Sequence, residues 1–224
     1  MNSQHNQVRL WLCADLNELA PEQIVARTRL TLALRASFTR GVWLRGVERL
    51  AARPLLDCAL ALRALTDAHC CSLMIAQRAD IAALAHADFV HCTRNSMNPS
   101  QTRSILARLT SHTALRLSAS VHSWRDDTLT HGCEQYVLGP IGVVPEKGPP
   151  LSASEFTAIR RHAPSASLVA VGGFGPHALE PIKSVCALGA NAIAVRRAFV
   201  RDDVQTSLPP IIEQLELCFS NFNT

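Results

Sequence analysis

Lysine is nearly absent from this chain, since Lys147 and Lys183 are the only two, and the net charge of +4 therefore rests on arginine. The arginines are scattered along the chain, and aromatic residues make up only 5% of it, so a nucleic-acid surface built from basic and stacking side chains is not expected. No apolar run reaches the ~18 residues that a membrane span needs. The opening MNSQHNQVRLWLCAD has no basic region leading into a long apolar core and a small-residue cleavage site, so neither a signal peptide nor a membrane partner is expected. The expectation is a soluble, cytoplasmic protein. There is no CxxC pair and no metal-like His/Cys spacing. Cys13, Cys58, Cys70, Cys71, Cys92, Cys133, Cys186 and Cys218 lie in apolar segments and are read as buried, reduced thiols. No long linker, low-complexity tract or charge block divides the 224 residues, which are enough to bury one large core, so a single domain over 1–224 is expected.

What the chain does have is alternation. The stretch Cys133 to Gly173 contains two apolar runs, Gln135–Ile141 and Leu168–Gly173, flanking a helix over Ser152–His162. Apolar runs without polar alternation fit strands buried on both faces. The same strand-then-helix pattern recurs along the chain. Strands are expected at Val8–Ala14, Gly41–Arg45, Cys71–Ala76, Asp88–Cys92, Ala114–Ser120 and Asn191–Ala198. Helices are expected from Pro21, from near Pro54, over Ala79–His86, from Asn98-Pro99 to Leu109, from Ser123 to Gly132, over Pro176–Leu188 and over Pro210–Phe219. Eight such units in one domain point to an α/β fold, a (β/α)8 TIM barrel. An open doubly wound sheet is the weaker alternative, because Cys13–Ala20, after the first strand, has no glycine for a dinucleotide loop.

In such a barrel the carboxyl ends of the strands carry the site. They hold Arg45, Gln77, His91, Cys92, Ser118, Ser120, His122, Gly139, Lys147, Gly172, Gly173, Arg196 and Arg197, a polar and mostly cationic rim. Gly172-Gly173 and Arg196-Arg197 follow strands seven and eight, where barrels often bind phosphate through loop amides; a tight turn with surface arginines is the plainer account. Arg45 can fork onto a carboxylate or phosphate, or pair inside the mouth. Lys147 is a point charge for an anion or a solvated loop lysine. His122, in Ser-Val-His-Ser, can take and return a proton, or serve as a satisfied structural histidine.

The segments LRG at 44–46, SVHS at 120–123, YVLGPIGVVPEKG at 136–148, LVAVGGF at 168–174 and GANAIAVRRAF at 189–199 resemble the thiamine phosphate synthase/TenI family in order and spacing. The resemblance implies a (β/α)8 barrel and a small phosphorylated heterocycle, of the thiazole phosphate class, as ligand. It leaves a homodimer open, and Leu34, Leu60 or Leu217 serve either its face or the barrel's own core. One branch of the family joins a pyrimidine diphosphate to a thiazole phosphate with magnesium. The TenI branch includes tautomerases that aromatise a carboxythiazole phosphate by proton transfer.

Where the synthase pattern has Arg-Glu-Lys, this chain has Arg45-Gly46-Val47, and where it has Asn-Asp this chain has Ala76-Gln77. The second acidic position aligns near Ser96. A hard cation thus loses its expected oxygen ligands. The resemblance therefore implies a TenI-like tautomerase with no metal and no cofactor. His122 is its acid/base. Arg45, Ser120, Gly139, Lys147, Gly172, Gly173, Arg196 and Arg197 contact the substrate. Val144 and Glu146 replace threonines of the family loop, and Arg196-Arg197 replaces a small apolar-serine pair, so the arginines either strengthen anion binding or fill the pocket. Two alternatives stay open: a catalytically degenerate homologue that binds a thiamine-related phosphate or a partner protein, and a residual synthase.

Overall fold

A computed structural model describes residues 7–109, 115–145 and 147–220. Parallel strands β1 to β8 close on themselves in chain order, with β8 pairing back to β1. They span Val8–Asp15, Thr39–Arg45, Ser72–Ala76, Phe89–Cys92, Arg116–Val121, Gln135–Leu138, Ser167–Val171 and Ala192–Val195. The expected TIM barrel is the fold observed.

Helices alternate with the strands: α1 (Pro21–Ala33), α2 (Ala52–Ala68), α3 (Ala79–Leu84), α4 (Pro99–Leu109), α5 (Ala153–His162), α6 (Glu180–Ala187), α7 (Arg197–Val200), α8 (Val204–Ser207) and α9 (Pro209–Ser220). Local chemistry sets their starts. Asn98 Oδ1 accepts the Gln101 amide at 2.9 Å ahead of Pro99, as expected, and Ser152 with Glu155 makes a reciprocal cap at the start of α5. The expected helix after β5 is only a 3-10 turn, Asp127–His131, stopped by Gly132 in the left-handed region at φ 61°. Helix α6 begins at Glu180, later than expected, because a turn bridging Gly175 and Ala178 takes up the preceding residues. The expected start of strand five at Ala114 lies outside the described residues.

Each strand splits its side chains between two cores. Leu10, Leu12 and Ala14 of β1 face the helices, whereas Trp11 and Cys13 face the barrel axis with Trp43, Met74, Phe89, Val137 and Val169. Trp11 fills the barrel floor edge-on to Phe89, with ring centroids 5.7 Å apart. Gly41 is its register partner on β2, and a Cβ there would meet the Trp11 ring at 2.5 Å. Only glycine leaves room for that indole.

The cysteines are free thiols, and burial pushes Cys13 and Cys133 up to about 12 and Cys58 up to about 11. Cys70 departs from the expectation: it is exposed, at a left-handed φ of 51° beyond the end of α2. Leu60 and Leu217 are exposed, while Leu34 packs against the core. Among the described residues no helix is long and apolar enough to cross a membrane.

Candidate active site

Strand parity decides which side chains reach the mouth. Stepping by two from the inward Cys13, Trp43, Ser118, Val137 and Ala194 leads to Asp15, Arg45, Ser120 then His122, Gly139 and Arg196. Arg197 takes the opposite parity. The expected eighth strand, Asn191–Ala198, ends at Val195 because the Arg196 carbonyl accepts the Phe199 and Val200 amides and starts α7. Arg197 is left exposed on the outside of that turn. Cys92 also faces outward, its Sγ 3.4 Å from Thr102 Oγ1 on α4, so it is no part of the mouth.

The ends of β1, β2 and β8 carry an ionic cluster. Asp15 is 1% exposed, and its Oδ2 lies 3.3 Å from Arg45 Nε and 3.6 Å from Arg196 Nη1. Its Oδ1 accepts the Asn17 backbone amide at 3.1 Å and side-chain amide at 3.2 Å. Arg196 reaches on to Glu18 at 3.8 Å, and Arg201 grips both Glu18 oxygens at 2.7 and 2.8 Å. That hydrogen-bonded guanidinium holds the Glu18 carboxyl below its usual range. The Arg45 guanidinium lies 5.5 Å over the Trp43 ring. Both arginines are partly open to water but Asp15 is not, so each can exchange partners only while the other keeps the buried carboxylate paired. A depression of about 340 Å³ beside this cluster is lined by Leu16, Asn17, Glu18, Leu19, Pro21 and Arg49, among others. Its lining includes Glu18 but not His122 or the glycine loops.

The ends of β4, β5 and β6 are neutral instead. His91 is fully buried, with Nδ1 3.0 Å from Ser118 Oγ and Nε2 2.9 Å from Ser120 Oγ. Gln135 Nε2 donates to Ser118 Oγ at 3.1 Å and to Met74 Sδ at 3.4 Å. Trp43 stacks edge-on to His91 at 4.6 Å. Burial pushes the His91 imidazole down to about 3, helped by the nearby Arg45 charge, so it stays neutral. Beyond Ser120, His122 Nδ1 lies 2.7 Å from the Gly139 carbonyl oxygen. A carbonyl only accepts, so Nδ1 carries a proton, and in the neutral form of the ring Nε2 is the nitrogen with the free lone pair. His122 is exposed, and its backbone amide reaches Asp126 Oδ2 at 3.4 Å, the residue that caps the following 3-10 turn.

The glycines fix the third side. A Cβ on Gly139 would lie 2.3 Å from the Val171 carbonyl oxygen, so the carbonyl that receives His122 depends on bare backbone there. Gly172 and Gly173 take left-handed φ of 97° and 86°, and a Cβ on Gly173 would meet Gly142 Cα at 2.7 Å. The Gly142 amide donates to the Gly172 carbonyl at 3.0 Å, which pins the β6 loop to the β7 loop. Lys147 stands exposed in the β6 loop, its amide on the Val144 carbonyl at 3.2 Å, and Glu146 lies outside the described residues.

The structure thus joins Arg45 to Arg196, His122 to Gly139 and Ser120 to His91. Sequence reasoning missed Asp15, Trp43 and Gln135. All three carry a legible signal, which is inward parity on their strands. Asp15 was lost by ending β1 one residue early.

A family model described as thiamine monophosphate synthase (TMP-TENI) matches residues 21–199. The chain is 30% identical over 159 residues, 69% of each protein, to the thiamine-phosphate synthase of Chloroflexus aurantiacus. A solved structure of thiamine phosphate pyrophosphorylase from Pyrococcus furiosus superposes with a TM-score of 0.78 at 19% identity, covering 97% of this chain and 100% of that one. The 3-hexulose-6-phosphate synthase of Salmonella typhimurium follows at a TM-score of 0.60 and 12% identity, covering 96% and 99%. At these identities the two structures speak for the fold alone.

Proposed function

The chain belongs to the thiamine monophosphate synthase family of thiamine metabolism, and within it we propose a thiazole tautomerase that aromatises a carboxythiazole phosphate without a metal. The observation that carries this reading is the bond from His122 to the Gly139 carbonyl. It fixes the ring orientation and leaves Nε2 as a base at the mouth. Nε2 takes a proton from a ring carbon and, after exchange with solvent at the exposed ring, gives one to another atom of the same molecule, so nothing is gained or lost overall. While Nε2 holds the proton, the imidazolium charge is shared with the Gly139 carbonyl through a strengthened hydrogen bond. Arg45 binds the substrate carboxylate or the ring face. Backbone amides at Gly172, Gly173 and Arg196 hold the phosphate, with Lys147 as a positive charge at the rim.

The synthase activity in the relative's name, which the resemblance ties to magnesium, fits the residues poorly. Gln77 and Ser96 stand where the resemblance leads one to look for carboxylates. Asp15 is engaged by two arginines, and among the described residues no group of three or more His, Cys, Asp or Glu could hold a cation. The ion pairs of Arg45 and Arg196 with Asp15 favour a second reading, a homologue that binds a thiamine-related phosphate without turnover, because they use the very cations a substrate would need.

The test is turnover of the carboxythiazole phosphate in the presence of a chelator. The tautomerase reading expects product from the wild type and none above background from His122→Ala. Binding of the ligand with no turnover supports the second reading. Coupling of the pyrimidine diphosphate to thiazole phosphate only on adding magnesium overturns both.

A further inference from the structure

The buried polar chain below His122 is the part of the barrel that the proposed mechanism leaves unused. Four interior side chains, Gln135, Ser118, His91 and Ser120, are linked at 3.1, 3.0 and 2.9 Å inside the barrel. Such a chain has a direction if its protons can be placed. The Gln135 amide nitrogen faces both Met74 Sδ and Ser118 Oγ, and a thioether has no proton to give, so the nitrogen donates to both. Ser118 is fully buried and already accepts from Gln135, and the acceptor that remains for its own proton is His91 Nδ1. The second nitrogen of His91 must then carry the proton and donate to Ser120 Oγ. Ser120 is the half-buried end of the chain and accepts from below. Its own hydroxyl proton is left pointing towards the mouth.

We propose that Ser120 presents its hydroxyl to the substrate as a hydrogen-bond donor, and that His91, oriented by Ser118 and Gln135, is the positioning residue that fixes its direction. This deepens the tautomerase reading and rests on it. Ser120 on β5 and His122 just past its end lie two positions apart with the same parity, so the mouth offers a donor and an acceptor side by side. When His122 Nε2 removes a proton from a ring carbon, the electron pair moves into the conjugated ring and carboxylate. The Ser120 hydroxyl bonds to the oxygen or nitrogen where that negative charge collects. The exposed His122 ring exchanges its proton with solvent and then gives one back to the same molecule, and Ser120 transfers none. A neutral imidazole suits this task, because a charged one would donate from both nitrogens and break the bond from Ser118. The burial that holds His91 neutral keeps the chain polarised in one direction.

Two measurements on the full chain test this. In the ligand-free protein, nitrogen chemical shifts of His91 should show a protonated Nε2 and a bare Nδ1; a protonated Nδ1 overturns the proposal whatever the activity. With carboxythiazole phosphate as substrate, Ser120→Ala should lower kcat by about 10²-fold with KM changed only a few-fold, as for loss of one donor to a developing anion. His91→Gln should lower kcat about tenfold in the wild-type background and not at all in the Ser120→Ala background, because it acts through Ser120. Equal losses in both backgrounds would mean that His91 is merely structural. If the wild type turns nothing over, the tautomerase reading fails, and the His91 tautomer alone judges the directed chain.

Discussion

The two halves of the barrel mouth are built from opposite chemistry. On the β1, β2 and β8 side, Asp15, Arg45, Arg196, Glu18 and Arg201 form a network of charges partly open to water. On the β4, β5 and β6 side, neutral groups are held by short hydrogen bonds, with His91 fully buried and His122 locked on a carbonyl. The charged half is adaptable. One arginine can turn to a ligand anion while the other stays on Asp15, but the buried carboxylate cannot cheaply lose both. The neutral half is rigid, because a buried hydrogen bond broken without replacement is expensive. The proposed tautomerase would bind its substrate's charges on the charged side and move the proton on the neutral one.

The sharpest way to break this division is at His122. His122→Ala should lower kcat on carboxythiazole phosphate by about 10²- to 10⁴-fold, the range for a lost general acid/base, with little change in melting temperature. A comparable loss from Lys147→Ala would shift the chemistry to the rim.

Acid should act on the neutral half. The unfolded chain takes up a proton on His91 as the pH falls through its ordinary value of 6.5, while the native imidazole stays neutral until about 3. The unfolded state thus binds more protons in that window, and stability should fall with falling pH by up to about 1.4 kcal/mol per unit. Denaturant titrations of the wild type and His91→Gln between those pH values check it: the variant should lose this part of the slope.

Gly139→Ala comes next. Its Cβ would press on the Val171 carbonyl at 2.3 Å, so β6 must shift, at a cost of about 1–3 kcal/mol in stability. Activity should fall further than stability does, because the acceptor of His122 moves with the backbone. The smallest effect is on the charged side. Asp15→Asn should free Arg45 and Arg196 and tighten inorganic phosphate binding a few-fold at low salt, a gain that calorimetry should see vanish at high salt. Weaker binding would mean that Asp15 holds the arginines in their working positions.

The fold was legible because the evidence for it is repeated: eight apolar runs separated by helical periods require no long-range knowledge. The neutral half of the site was partly legible too, since His122, Ser120 and Gly139 stand at strand ends. The charged half was not. Asp15 and Arg196 are 181 positions apart and meet only because β8 closes onto β1, and that contact turns an expected cationic rim into an internally neutralised one. Arg197 was misjudged for a simpler reason. An apolar run followed by two arginines does not say where a strand gives way to a helix, and a one-residue difference in parity turns a side chain from the mouth to the outside.

The most direct test of the central claim is proton exchange in deuterium oxide. Carboxythiazole phosphate is incubated with the protein and a chelator, and the product is read by proton NMR and mass spectrometry. A histidine that removes a proton and returns one should leave deuterium at the atom that is reprotonated, at a rate that collapses in His122→Ala. Labelling at the same rate by wild type and His122→Ala, or labelling only when magnesium is added, would contradict the account.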